Sequence, residues 1–63
     1  MVLIEFKPSS DEAMMIAIIK KYAHIPLRDA RDAVELRQFK CDKRYKKAVI
    51  EAIEEHGGIV EHK

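Results

Sequence analysis

The side chains able to ligate a metal or act as nucleophiles are few and widely spaced: His24, Cys41, His56 and His62. Zinc sites draw on close pairs such as Cys-x-x-Cys or His-x-x-x-His, because ligands on one turn are already positioned for a tetrahedron. No such pair occurs here, so neither a metal nor another cofactor is expected. His24 reads as a loop residue, and His56 as a helix-end cation complementing the dipole. Cys41 as a nucleophile would need a base and a thiolate-stabilising site. Its place before a helix would lower its pKa slightly, but its simpler role is a small edge-strand residue. The carboxylates have neither a paired base nor a phosphate-cradling Gly-rich loop, so no catalytic residue is assigned and the chain reads as non-enzymatic.

A denser group is the run of cations Lys40, Lys43, Arg44, Lys46 and Lys47 around Tyr45. Such cations bind phosphates, and an exposed aromatic beside them stacks on a base. The same run also reads as a solvated helix start, because Tyr45 falls on the buried side of its helix and Glu51, Glu54 and Glu55 balance the charge farther along. These cations occupy the positive end of the helix dipole, a mild mismatch that hints at a purpose. Twelve basic against eleven acidic residues leave a net charge of +1, which by itself does not imply nucleic-acid binding.

The elements that position these residues follow from periodicity. Val2, Ile4 and Phe6 alternate with Leu3 and Glu5 in a half-buried strand that Lys7-Pro8 ends. Ser9 and Glu12 have capping-box spacing, and a first helix is predicted over about residues 10–22. Met15, Ile18, Ile19 and Tyr22 share its buried face, with Met14 at the border. Ala13, Ile16, Ala17 and Lys20 lie opposite. Ile16 on that side packs against the second helix, stands as a scattered exposed residue, or belongs to a partner-binding strip. Pro26 separates the two helices by disfavouring helical geometry at Ile25. The second helix is predicted over about residues 27–35, with a spine of Leu27, Ala30 and Val34. Arg28 with Asp32, and Arg31 with Glu35, have the four-residue spacing of helical ion pairs.

A short edge strand is predicted over residues 36–40. Asp42 caps a third helix over about residues 43–56 whose buried side carries Tyr45, Val49, Ala52, Ile53 and His56, with Ala48 at its border. Gly57-Gly58 supplies a left-handed stop, and a last strand is predicted over residues 59–62 with Val60 facing the helices. The order β-α-α-β-α-β implies an α+β two-layer sandwich: a small, mostly antiparallel three-stranded sheet covered by helices on one face. Its other face carries Leu3, Glu5, Ile59 and Glu61, an apolar spot that would support a homodimer. Sixty-three residues make one domain, 1–63. Apolar content of 48% with 37% charged residues is a globular balance. The longest apolar run, residues 13–19, is far short of the roughly 20 residues that span a bilayer. With no signal-peptide pattern and a single cysteine, no membrane association and a cytoplasmic location are expected.

His24-Ile25-Pro26-Leu27-Arg28-Asp29-Ala30-Arg31-Asp32-Ala33-Val34-Glu35 resembles the second-helix motif of the C-terminal domain of the bacterial ribosomal stalk protein, Gly-Leu-Gly-Leu-Lys-Glu-Ala-Lys-Asp-Leu-Val-Glu. Ala52-Ile53-Glu54-Glu55-His56-Gly57, followed by the Val60 strand, is similar to that family's closing pattern. The resemblance spans nearly the whole chain and implies the ClpS-like fold. In that family the domain is a non-enzymatic adaptor that recruits translational GTPases through the first helix, the elbow and the start of the second helix. Carried over by position, the partner-binding surface is Ile16, Lys20, Pro26, Leu27, Arg28, Asp29 and Arg31. His24 and Pro26 replace two elbow glycines, and Glu12 and Ala17 stand where the family has lysines. The resemblance therefore implies a stand-alone, divergent relative. The expected function is a protein-interaction module for a translation factor, a ribosome-associated factor or another nucleotide-dependent protein. The alternative is a nucleic-acid-binding regulator using Lys40, Lys43, Arg44, Lys46 and Lys47.

Overall fold

A computed structural model describes residues 1–61. The elements are β1 (Val2–Lys7), α1 (Glu12–Ala23), α2 (Leu27–Leu36), β2 (Gln38–Cys41), a 3-10 turn (Lys43–Tyr45), α3 (Lys46–Glu55) and β3 (Ile59–Glu61). This is the expected β-α-α-β-α-β order. The sheet runs β2-β1-β3, and both of its pairings are antiparallel. Ile4, Phe6, Phe39, Cys41 and Val60 point to the helices and are buried, whereas Leu3, Lys7, Gln38, Lys40, Ile59 and Glu61 face outward and are exposed. The two-residue alternation of a strand thus sorts the sheet into a core face and an open face.

The core is one cluster. α1 supplies Met15, Ile18, Ile19 and Ala23, α2 supplies Ala30, Ala33 and Val34, and α3 supplies Val49, Ala52 and Ile53. Side chains as fully buried as Ile19 and Ile53 each contribute about 1.5–3 kcal/mol. Phe6 and Phe39 meet edge to face across the sheet, with ring centroids 5.7 Å apart, the geometry that aromatic quadrupoles favour. The alanines of α2 let that helix approach closely, and α1 packs against both α2 and α3.

Several expectations need correction. The cap of α1 is Asp11, whose Oδ1 accepts from Met14 N–H at 3.1 Å. The helix therefore starts at Glu12, and the Ser9–Glu12 capping box does not form. Ser9 Oγ is instead buried without a hydrogen-bond partner. Leu27 is 50% exposed and not part of the α2 spine. Ala33 takes that place, and Ile25 makes the apolar contact at the start of the helix. Neither Arg28–Asp32 nor Arg31–Glu35 closes to an ion pair; both pairs are exposed, where the Coulomb gain barely offsets side-chain entropy.

α2 continues through Leu36 and ends on Arg37, at φ 60°, whose N–H bonds Ala33 O, so β2 begins two residues later than expected. Asp42 caps the 3-10 turn, through a 3.0 Å bond from Arg44 N–H, and the α-helix proper starts only at Lys46. Tyr22, Tyr45 and His56 are half-buried rather than buried, and Ala48 is exposed. At the end of α3, Gly57 has φ 90°. Gly57 N–H bonds Glu54 O at 3.2 Å and Gly58 N–H bonds Ile53 O at 2.8 Å, a Schellman stop that satisfies two terminal carbonyls. His62, expected in the last strand, lies outside the described residues.

Candidate functional site

The residues expected to bind a partner fall on different sides of α2. Successive residues of a helix turn by 100°, so with Ala30, Ala33 and Val34 inward, Leu27, Arg31 and Glu35 form the flank toward α1. Asp29, Asp32 and Leu36 form the opposite flank, and Arg28 points outward between them. On α1, Ile16 and Lys20 are one turn apart on the side facing α2. The structure accordingly brings Ile16 and Arg31 together: with Glu12, Val34 and Glu35 they line a shallow groove between the two helices. Ile16 is half-buried there, and Lys20, Leu27 and Arg31 are exposed. Pro26 is the exposed N-cap of α2; its carbonyl accepts from Ala30 N–H at 3.0 Å, and no side chain caps the helix.

Asp29 is separated from this group. It lies in a second hollow with Asp32, Met1, Ile25, Ala33 and the edge strand residues Gln38, Phe39 and Lys40. The expectation of one continuous surface thus holds for Ile16 and Arg31 and fails for Asp29. The α1–α2 groove also carries two carboxylates, Glu12 and Glu35, that residue-by-residue carry-over missed. The Arg31–Glu35 spacing was their visible signal; the approach of Glu12 from another helix had none.

Lys40, Arg44 and Lys46 of the basic run sit in different surroundings. Lys40 projects from the open face of the sheet, opposite Leu3 in the register. Lys46 sits by Leu3, Glu5, Ile50 and Glu61 in a third hollow. Arg44 is tied to Asp42, Nη2 to Oδ2 at 3.3 Å. Hydrogen bonds from the Arg44 backbone and guanidinium hold the Asp42 carboxyl below its ordinary value, and the same carboxylate raises the Arg44 pKa. The Tyr45 ring stacks on the His24 imidazole at 4.1 Å with planes 28° apart, and the Arg44 guanidinium carbon is 5.4 Å from the ring centroid. The ring at the centre of the basic run already has these two neighbours.

His24 caps α1 in the left-handed region, φ 56°. His56 lies 2.8 Å from the Ala52 carbonyl through Nδ1, a contact that requires the proton on that nitrogen. Among the described residues no three His, Cys, Asp or Glu side chains are grouped to hold a metal. Cys41 is fully buried, and its thiol is pushed up by desolvation first and by neighbouring Asp42 second, against the expected lowering. On the open sheet face Leu3 is 48% and Ile59 63% exposed. The row holding Glu5, Gln38 and Glu61 lies between them in the register, so they do not form one apolar spot. Among the described residues no helix is long and apolar enough to cross a membrane. No protein family, no curated protein and no solved structure matches the chain.

Proposed function

We propose that the chain is a non-enzymatic protein-interaction module that binds its partner along the α1–α2 groove. The observation that carries this reading is that Ile16 and Arg31, from two helices, line one solvent-facing groove. Ile16 and Leu27 supply apolar contact, while Arg31 and Lys20 meet acidic groups and Glu12 and Glu35 meet basic ones. Such mixed rims orient a partner more than they tighten it. The likeness of the 24–35 segment to the ribosomal stalk motif suggests a translational GTPase or another ribosome-associated factor, acting in the cytoplasm. Fold likeness does not fix function, so the partner is tested directly.

The test is affinity capture from cell extract with wild type and with Ile16→Asp plus Arg31→Glu, after circular dichroism shows both folded. Proteins retained by the wild type and lost from the double variant are the expected result, and a translational GTPase among them supports the stalk-like reading. Identical sets from the two chains remove it. The nucleic-acid alternative has weaker support, because Tyr45 already stacks on His24 and Arg44 is tied to Asp42. Salt-independent binding to single- and double-stranded probes, or none at low salt, eliminates that alternative.

A further inference from the structure

On the flank of α2 away from α1, Asp29 and Asp32 border a hollow that also includes Met1, Ile25, Ala33 and the β2 residues Gln38, Phe39 and Lys40. β2 has a strand neighbour on one side only, and the direction of its unused backbone groups follows from the register. Phe6 N–H donates to Arg37 O at 3.1 Å, which makes Phe6 and Arg37 a hydrogen-bonded pair. Bonded and non-bonded pairs alternate along an antiparallel ladder, so Ile4/Phe39 and Val2/Cys41 are the next bonded pairs. Phe39 and Cys41 therefore turn their N–H and C=O groups toward β1. Gln38 and Lys40 turn theirs outward.

A strand laid along this edge would find two outward N–H groups and two outward carbonyls. Its residue opposite Phe39 would lie on the helix side of the sheet, beside α2. The surroundings there state what that strand must carry. Ile25, Ala33 and Phe39 are apolar, while Asp29 and Asp32 are exposed and make no ion pair. Residues two apart in a strand share a face. An apolar residue and a basic residue at that spacing satisfy floor and wall together. Strand addition to a sheet edge is a recurring way of binding extended peptides. The Lys40 side chain, on the other face, is the kind of edge charge that discourages indiscriminate pairing.

We propose that the β2 edge and the Asp29/Asp32 flank of α2 form a docking groove for an extended peptide in which apolar and basic residues alternate with small polar ones. This groove is separate from the α1–α2 surface, and its assignment does not rest on that one.

The test titrates the isotope-labelled full chain with a capped Thr-Val-Thr-Arg-Thr-Val-Thr peptide and with the same peptide carrying Glu in place of Arg. Amide shifts concentrated at residues 29–41, with binding about fivefold weaker for the Glu peptide, are expected from surface ion pairing. Asp29→Asn with Asp32→Asn should remove that preference. Lys40→Pro deletes an outward N–H and leaves the ladder to β1 intact, as prolines on edge strands do; binding should fall about tenfold. No shifts with millimolar peptide, shifts centred elsewhere, or a folded Lys40→Pro chain that binds equally would overturn the proposal. Sedimentation showing a dimer of the chain alone that Lys40→Pro dissolves would assign the edge to a second copy, and would also overturn it. If Lys40→Pro does not fold, loss of the Arg preference in the Asp29→Asn, Asp32→Asn chain decides the matter.

Discussion

The two flanks of α2 are built from different materials. Toward α1 the helix faces another helix, and Ile16, Val34, Arg31, Glu12 and Glu35 present side chains only; both backbones spend their hydrogen bonds internally. Toward β2 the helix faces a strand edge, where half of the N–H and C=O groups point to solvent. One flank offers a side-chain pattern, the other backbone groups plus charge. Both depend on a ten-residue helix that would be marginal alone. The small-residue keel of Ala30 and Ala33, with Val34, seats the helix and so shapes both grooves at once.

Breaking the keel should therefore abolish both flanks together. Ala30 is fully buried, and Ala30→Asp would place a carboxylate there without a partner, costing about 4 kcal/mol or more. That is comparable with the whole margin of a domain this small. The expected result is loss of the cooperative thermal transition seen by circular dichroism. A variant melting within a few degrees of wild type would show that α2 docking is not what holds the sheet and helices together.

Val34→Ala separates the flanks. Val34 is buried and lines the α1–α2 groove, and losing its methyls costs about 2 kcal/mol. The melting temperature should fall by about 10 °C. Partner capture should weaken, while peptide shifts at the β2 edge persist at temperatures where the chain is folded. Equal weakening at both sites would mean that the flanks are coupled through the helix.

A smaller effect tests the end of α1 that carries the Glu12 wall. Asp11→Ala removes the cap actually used and should cost about 1 kcal/mol. Ser9→Ala removes a buried hydroxyl that has no partner, so its melting temperature should match or exceed that of wild type. The reverse order would restore the capping role that spacing assigned to Ser9.

That pair of serine and aspartate also marks how far the sequence was legible. Ser9 and Asp11 are both competent caps within one turn, and only the exit path of the chain from Pro8 decides between them. Periodicity located Met15, Ile18 and Ile19 on α1 and Val49, Ala52 and Ile53 on α3, where the apolar stripe repeats. It misplaced Leu27, which opens α2, because the preceding Ile25 packs on the core there and Ala33 completes the buried face. The alternation in β1 and β3 was readable. β2 was displaced because Leu36 and Arg37, apolar and cationic, suit a last helical turn as well as a strand. For the site, Ile16 was legible as an apolar residue off the buried stripe, and it is half-buried against the core beside α2. Its meeting with Arg31 depends on how two helices pack, and the separation of Asp29 from Arg31 depends on which side of α2 each neighbour occupies.

The smallest expected effect on stability is at Cys41, the last residue of β2, and it probes the edge without any ligand. Its thiol is buried and holds its proton more tightly than the usual thiol, chiefly through desolvation. A pKa raised in the folded state means that this contribution to stability is complete below the unfolded thiol's pKa. It is lost as pH rises through the higher folded value. At pH 8 an aromatic disulfide reagent should label the native chain far more slowly than the denatured one, because labelling requires the strand to open. Lys40→Pro should leave that rate unchanged, since the deleted N–H faces away from β1. Phe39→Pro, which removes a bond to β1, should raise it sharply. A rate raised by Lys40→Pro and left unchanged by Phe39→Pro would mean that the inward and outward positions of β2 have been assigned the wrong way round, and the backbone-reading flank of α2 would lose its basis.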